Sequence, residues 1–481
     1  MKLIKTDVAI IGAGTAGMVA YGSASKHTEK VVLIESGPYG TTCARVGCMP
    51  SKLFIAAAEA AHAIEEAPGF GVFPGGAANI DGRKVMERVK KERERFVGYV
   101  LDSIESIPAE KRLTGRARFL DDNTLDVDGH TRVEAKSVVI ATGSSPSILP
   151  MFNGLGDRLI VNDDVFEWDD LPSSVAVFGA GIIGLELGQA LHRLGVRTII
   201  LSKNGLVGPL SHPDMKKYAA DTFAGEFYVD TDADVLGVSR KEDGVEVRYV
   251  GLDGRERAES FELVLAATGR TPNVKNIGLE NTSLELDEKG VPVYDRYTAR
   301  CGESSIFIAG DADNEVPVLH EAADEGRIAG ENAALYPEVK AGRRKAKLNI
   351  VFTDPEIAIA GRGYDELRNA PGLCFVTGSV SFENQGRSRV MLKNKGILHV
   401  YAEYGTGVFL GAEMFGPRAE HIGHLLAWAA EKRMTVPEML AMPYYHPVIE
   451  EGVRTALSGA NEKLHKGRAL SESGVECGPG I

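Results

Sequence analysis

A strand, a glycine turn and a helix occur twice in this chain in the same order, and this repetition constrains the fold most. The first copy starts as the apolar stretch Thr6-Asp7-Val8-Ala9-Ile10-Ile11. It turns through Gly12-Ala13-Gly14-Thr15-Ala16-Gly17 into a helix from Met18 to Lys26, and a second strand, Val31-Val32-Leu33-Ile34, ends on Glu35. In this G-x-G-x-x-G pattern Gly12 permits the tight turn, Gly14 lets the backbone approach a pyrophosphate, and Gly17 allows close helix–strand packing. Glu35 falls about 20 residues on, where a carboxylate accepts hydrogen bonds from ribose hydroxyls. The second copy runs from Ser174-Val175-Ala176-Val177-Phe178 through Gly179-Ala180-Gly181-Ile182-Ile183-Gly184 into a helix, Leu185 to Leu194. The strand Thr198-Ile199-Ile200-Leu201 follows it. Two such units imply two Rossmann-like dinucleotide-binding domains, and so two dinucleotides.

The copies differ at the ribose position. The second ends on Ser202-Lys203, with Arg197 nearby and no acid. A missing carboxylate beside basic residues fits a 2′-phosphate better than a bare ribose diol; alternatively, Lys203 is a solvated loop residue.

Between the copies lies Gly40-Thr41-Thr42-Cys43-Ala44-Arg45-Val46-Gly47-Cys48-Met49-Pro50-Ser51-Lys52, followed by a helical stretch from Leu53 to Glu66. Pro50 suits a first helical turn, where its missing N–H would be unpaired anyway. Cys48 therefore lies near a helix N-terminus, whose dipole and free N–H groups favour a thiolate. Cys43 is close enough in sequence to close a reducible disulfide with it. Beside a flavin, such a pair is a dithiol/disulfide machine; the bland alternative is a structural disulfide or two buried thiols.

The remaining landmarks are consistent with a chain of several domains, as 481 residues require. Two apolar strands end in Ala-Thr-Gly, at Ala141-Thr142-Gly143 and Ala267-Thr268-Gly269, and a third, Ser305 to Ala309, ends on Gly310-Asp311. Arg112 to Asp128 reads as a β-hairpin around Asp121-Asp122-Asn123. Beyond the basic linker Lys340-Ala341-Gly342-Arg343-Arg344-Lys345, strands at 396–403 and 408–414 precede helices at 419–432 and 437–442, an α+β pattern. From Ser458 the chain reads as a polar, loose tail. The expected division is 1–148, 149–270, 271–345 and 346–465, with a tail at 466–481. A net charge of −13 argues against a nucleic-acid surface. No apolar run is long enough to cross a bilayer, no signal peptide precedes the first strand, and Cys301, Cys374 and Cys477 stand apart in sequence. A cytoplasmic setting is expected, and no metal site.

From about residue 4 to 460 these motifs together resemble the class I pyridine nucleotide-disulfide oxidoreductases, most closely their dihydrolipoyl dehydrogenase branch. The resemblance implies FAD on the first fold, NAD or NADP on the second, and a C-terminal domain that forms a homodimer. It makes Cys48 the charge-transfer thiolate against the flavin and Cys43 the interchange thiol that meets substrate. Lys52 and Glu186 become the ion pair beside flavin N5, Asp311 the holder of the ribityl chain, and His320 part of a segment passing near the flavin. Gly115, Thr142 and Gly143 join the FAD contacts, and Gly269 those of NAD(P) with Ser202 and Lys203. Tyr444-Tyr445-His446-Pro447-Val448-Ile449-Glu450-Glu451 resembles the family's H-P-x-x-x-E signature. With Pro447 starting a helix, His446 would cap it and Glu451 would orient the imidazole. The resemblance makes His446, supplied by the neighbouring subunit, the base for the dithiol; a histidine before proline is otherwise a helix cap. His421 and His424 read as helix-surface or interface residues.

The implied activity passes electrons from dihydrolipoyl groups through Cys43–Cys48 and FAD to NAD(P)+. The alternative is an NAD(P)H-dependent reductase of another disulfide or small molecule. A transhydrogenase would not need the cysteine pair, and a mere binding subunit would not need His446, Glu451 and Lys52. Mercuric reductases carry a vicinal cysteine pair where this tail has Cys477 alone. The cysteine segment departs from the family's pattern: Gly-Gly-Thr is here Gly40-Thr41-Thr42, and Arg45 replaces the usual Asn. These changes surround the disulfide and bear on whether its substrate is the standard lipoyl domain.

Overall fold

The computed structural model describes residues 1–76 and 78–465. Lys2–Ile11 is the central strand of the first sheet, paired in parallel with Val31–Glu35 on one side and Thr131–Ile140 on the other. Val8, Ala9 and Ile10 are all fully buried, as expected of a parallel strand covered on both faces. Thr131–Ile140 serves two further partners on its other edge. Its first residues pair with Thr124–Val127, the second arm of a hairpin with Ala117–Asp121, and its last three pair in parallel with Ile306–Ile308. Three distant stretches thus close one sheet, and Gly12, Thr142 and Asp311 follow the carboxyl ends of its strands, where open α/β sheets hold ligands. Helices Thr15–Ala24 and Leu319–Leu335 touch backbone to backbone: a Cβ on Gly326 would lie 2.3 Å from the Ala16 carbonyl oxygen. That contact fixes the helix carrying His320 against the first fingerprint.

The second sheet is parallel, in the order Tyr228–Asp230, Arg197–Leu201, Ser174–Phe178, Leu263–Ala266, Leu159–Ile160. The antiparallel strands Asp234–Lys241, Gly244–Val250 and Glu256–Phe261 pack Val245, Val247 and Tyr249 on it. Two short strands, Ser144–Pro146 and Arg270–Pro272, pair where the chain leaves and re-enters the first unit. The third sheet is antiparallel, in the order Leu348–Val351, Glu356–Gly361, Phe409–Gly416, Ile397–Glu403, Phe375–Ser381. Helices Ala419–Glu431 and Glu451–His465 bury Ile422, Leu426, Ala456 and Leu457 against it. The architecture is therefore two Rossmann-like units and a C-terminal α+β domain.

One expectation is corrected. The tail expected from Ser458 is helix through residue 465, held by the buried Ala456, Leu457 and Ala460; the proposed tail 466–481, with Cys477, lies outside the described residues. The basic linker is tied down by acids on its neighbours: Arg343 meets Glu431, Arg344 meets Glu321 (2.9 Å) and Glu325 (2.6 Å), and Lys345 meets Asp324 (2.9 Å). Cys374 is disulfide-bonded. Cys301 is fully buried, and burial pushes its thiol far above the ordinary range.

Candidate active site

The two fingerprints have nearly the same steric construction. A Cβ on Gly17 would sit 1.8 Å from the Gly12 carbonyl oxygen, and one on Gly184 would sit 1.8 Å from that of Gly179. Gly12 and Gly179 have φ of +104° and +111°, which side chains strongly disfavour. Above Gly14 and Gly181, by contrast, a Cβ would meet nothing within 4 Å. Both face a single cavity of about 1180 Å³ running between the two units. Thr142 Oγ1, beside the first turn, is buried without a hydrogen-bond partner among the described residues. Open space over two helix N-termini suits pyrophosphate groups, so the residues present fit two dinucleotides.

The cavity gathers Gly14, Cys43, Cys48, Lys52, Gly143, Gly179, Gly181, Glu186, Ser202, Lys203, Gly269, Asp311 and His320 from the expected set. Gly12, Gly17 and Gly184 shape the turns from behind. Glu35 uses its carboxylate on the Ala13 and Gly37 N–H groups, at 2.7 Å each. Gly115 is outside the cavity, with its N–H donated to the Glu35 carbonyl at 2.9 Å. In the second unit Ser202 is buried and Lys203 is exposed. Arg197 is engaged elsewhere: it pairs with Glu259 at 3.0 Å and lies over the Phe261 ring.

The cysteines sit between the units because their helix does. It begins at Cys48 itself, with Pro50 in its first turn, and packs Phe54, Ile55 and Ala58 into a core shared with Leu187 and Leu191 of helix Ile182–Arg193. Cys43 and Cys48 are both free thiols, and Cys48 is exposed to the cavity. A hydrogen bond from Cys43 lowers the Cys48 thiol most; burial opposes this, and the Lys52 charge assists, bringing it to about 7. The same hydrogen bond raises Cys43, helped by burial, far above the ordinary range. One thiol is thus prepared as thiolate and the other as its donor. Thr41 has φ of +57°, a strained value for a β-branched residue. Its Oγ1 accepts the Ala44 N–H at 3.3 Å, a cap that glycine would lack.

Lys52 Nζ contacts both carboxylate oxygens of the buried Glu186, at 3.0 and 2.8 Å. Asp311 accepts a hydrogen bond from Ser144 at 2.6 Å, and Ser144 is held in turn by Arg270 Nε at 2.8 Å. Ser144 and Arg270 also line the cavity; each directly follows an Ala-Thr-Gly run, but nothing in the sequence pairs the two. His424 is another cavity residue, not merely a surface one, whereas His421 pairs with Glu420 at 3.0 Å.

His446 Nδ1 lies 3.0 Å from Glu451 Oε1, yet His446 is 81% exposed and does not line the cavity of its own chain. Pro447 does not start a helix. The regular helix begins at Glu451, whose other oxygen accepts the Val448 N–H at 3.2 Å and holds the intervening turn. Its bonds from His446 and Val448 keep the Glu451 carboxyl below its usual range.

A family model for pyridine nucleotide-disulphide oxidoreductases matches residues 6–326, and one for the dimerisation domain of the same proteins matches 348–457. The chain belongs to this family. It is an NAD(P)-dependent flavoprotein disulfide oxidoreductase, with FAD and NAD(P) as cofactors. Among similar proteins are dihydrolipoyl dehydrogenase 2 of Haloarcula marismortui, 29% identical over 96% of this chain and 98% of that one, and the dihydrolipoyl dehydrogenase of Halobacterium salinarum, 30% identical over 95% and 96%. Among solved structures, LpdA of Mycobacterium tuberculosis superposes with a TM-score of 0.79 at 26% identity, covering 94% of this chain and 99% of LpdA. The HOCl-induced flavoprotein disulfide reductase RclA of Escherichia coli shares the fold, with a TM-score of 0.79 at 21% identity over 94% and 99%. Among the described residues no helix is long and apolar enough to cross a membrane.

Proposed function

We propose that this oxidoreductase is a dihydrolipoyl dehydrogenase, acting as a homodimer in the cytoplasm, with the domain divisions given above. The observation that carries the reading is the Cys43–Cys48 pair, opening on the same cavity as both fingerprints and the Lys52–Glu186 ion pair. Relatives of that name aligned over nearly the whole chain support it. Gly12, Gly14, Gly17, Glu35, Thr142, Gly143, Asp311 and His320 would hold FAD, which would supply the two-electron carrier between the thiols and NAD(P); Gly115, outside the cavity, would act only through the Glu35 carbonyl. NAD(P) belongs to Gly179, Gly181, Gly184, Ser202, Lys203 and Gly269.

His446 carries its proton on Nδ1, toward Glu451, which leaves Nε2 as the base. In the dimer Nε2 takes the proton of a dihydrolipoyl thiol bound at the other subunit. The thiolate attacks Cys43 Sγ, the Cys43–Cys48 bond breaks, and Cys48 leaves as thiolate. The second substrate thiol then displaces Cys43, its own proton passing to the departing Cys43 sulfur, and His446 releases the first proton to solvent, so one dithiol is oxidised and one enzyme disulfide reduced to a Cys43 thiol and a Cys48 thiolate. Glu451 stabilises the imidazolium in between, and Lys52 faces the Cys48 charge.

Steady-state turnover of dihydrolipoamide with NAD+ and with NADP+ tests the reading. Absence of turnover with either, alongside NAD(P)H-driven reduction of another disulfide, would favour the second reading. That alternative is motivated by Arg45, whose stem packs over Gly40 between the two cysteines.

A further inference from the structure

One side of helix Ile182–Arg193 grips a short segment of the C-terminal domain. Glu186 Oε1 accepts the Phe352 N–H at 2.9 Å. Gln189 forms a reciprocal pair with the Asp354 backbone, donating to its carbonyl and accepting its N–H, both at 2.8 Å. Arg193 bonds the same carbonyl at 3.2 Å and the Asp354 carboxylate at 3.3 Å. Residues 186, 189 and 193 fall on one helix face, so the three grips act in line. They leave the Phe352 ring with Lys52 Nζ 4.5 Å from its centroid, within cation–π range. Phe352 also lines the cavity. One residue therefore contacts both members of the ion pair, its N–H on the carboxylate and its ring on the ammonium.

We infer that Phe352 is a positioning residue for the redox centre, holding Lys52 Nζ on the Glu186 carboxylate at the wall of the cavity that Cys48 also lines. This rests on the reading of Cys48 as the working thiolate. The ring's negative face favours an ammonium at that spot, and its bulk keeps water from one side of a charge that is only 33% exposed. Lysine has a flexible four-carbon stem, so without the ring Lys52 Nζ keeps Glu186 but gains freedom to swing toward solvent. The C-terminal domain thereby helps to set the charge state of a thiol on the first domain.

The test measures the pH dependence of Cys48 alkylation by iodoacetamide in Cys43→Ser protein, read by peptide mass spectrometry and, independently, by long-wavelength flavin absorbance. Adding Phe352→Leu should raise the apparent Cys48 pKa by about half a unit, while Phe352→Tyr, which keeps the ring, should leave it in place. Should Phe352→Leu not fold, the pentafluorinated phenylalanine at 352 keeps the shape and reverses the ring's polarity, and should raise the pKa likewise. No change with either the leucine or the fluorinated ring overturns the inference. If Cys48 titrates like a free thiol, near 8.5, in reduced protein that keeps both cysteines and Phe352, it is the underlying reading of the thiolate that fails.

Discussion

Replacing Cys43 by alanine removes the strongest single influence on Cys48. In the native pair the Cys48 thiol is lowered from 9.0 to about 7, and the hydrogen bond from Cys43 leads the causes. Hydrogen bonds to a charged partner contribute about 1.5–3 kcal/mol, and one pKa unit corresponds to about 1.4 kcal/mol. Losing this bond should therefore raise Cys48 by about 1–2 units, to between about 8 and 9. At pH 7 the thiolate then falls from about half of the molecules to between roughly one in ten and one in a hundred. The assay is the initial rate of iodoacetamide alkylation of the reduced protein between pH 5 and 10, with Cys48 identified by mass spectrometry. In the native protein the first deprotonation belongs to the pair; in Cys43→Ala it belongs to Cys48 alone. An apparent pKa that stays near 7 in the variant would mean that Lys52 and the helix N-terminus carry the whole effect, and that the thiol–thiol bond contributes nothing.

His446→Gln should slow turnover of the dithiol by at least ~10²-fold while leaving NAD(P)H reduction of the flavin nearly intact in stopped flow; equal slowing of both would make His446 structural. Lys203 is exposed, so its pairing with a 2′-phosphate contributes only about 0–1 kcal/mol, and native enzyme should use NADP measurably. Ser202→Glu should sharpen the preference for NAD, and a native preference already above ~10³-fold, about 4 kcal/mol, would disprove this account of Ser202-Lys203. Gly184→Ala places a Cβ against the Gly179 carbonyl; it should cost about 1–3 kcal/mol by overpacking and remove NAD(P)H binding, measured by titration, with FAD retained.

What the sequence made legible was local. The fingerprints could be read because each glycine answers a steric demand within a few residues, as the contacts of Gly17 and Gly184 with their own turns show. Cys43, Cys48, His446 and Glu451 were legible for the same reason. The grip of Gln189 on Asp354 and the support of Asp311 by Ser144 join residues 165 and 167 apart, and no spacing rule reaches that far. The segment after Pro447 failed differently. Proline there suits a helix start, but Glu451 reaches back to the Val448 N–H and defers the helix by a turn. The Thr41 departure was visible in sequence, whereas its left-handed backbone was not.

His446 and Glu451 stand at the surface of their own chain, apart from the cavity they resemble the equipment for. In the dimer proposed above, each catalytic centre is then encoded by two copies of the gene product. A defect in His446 silences the neighbour's cysteines and spares its own, whereas a defect in Cys43 does the reverse. Two inactive alleles, one of each kind, would restore one working centre in every mixed pair. Selection at these positions therefore acts on the assembled population of chains rather than on any single copy.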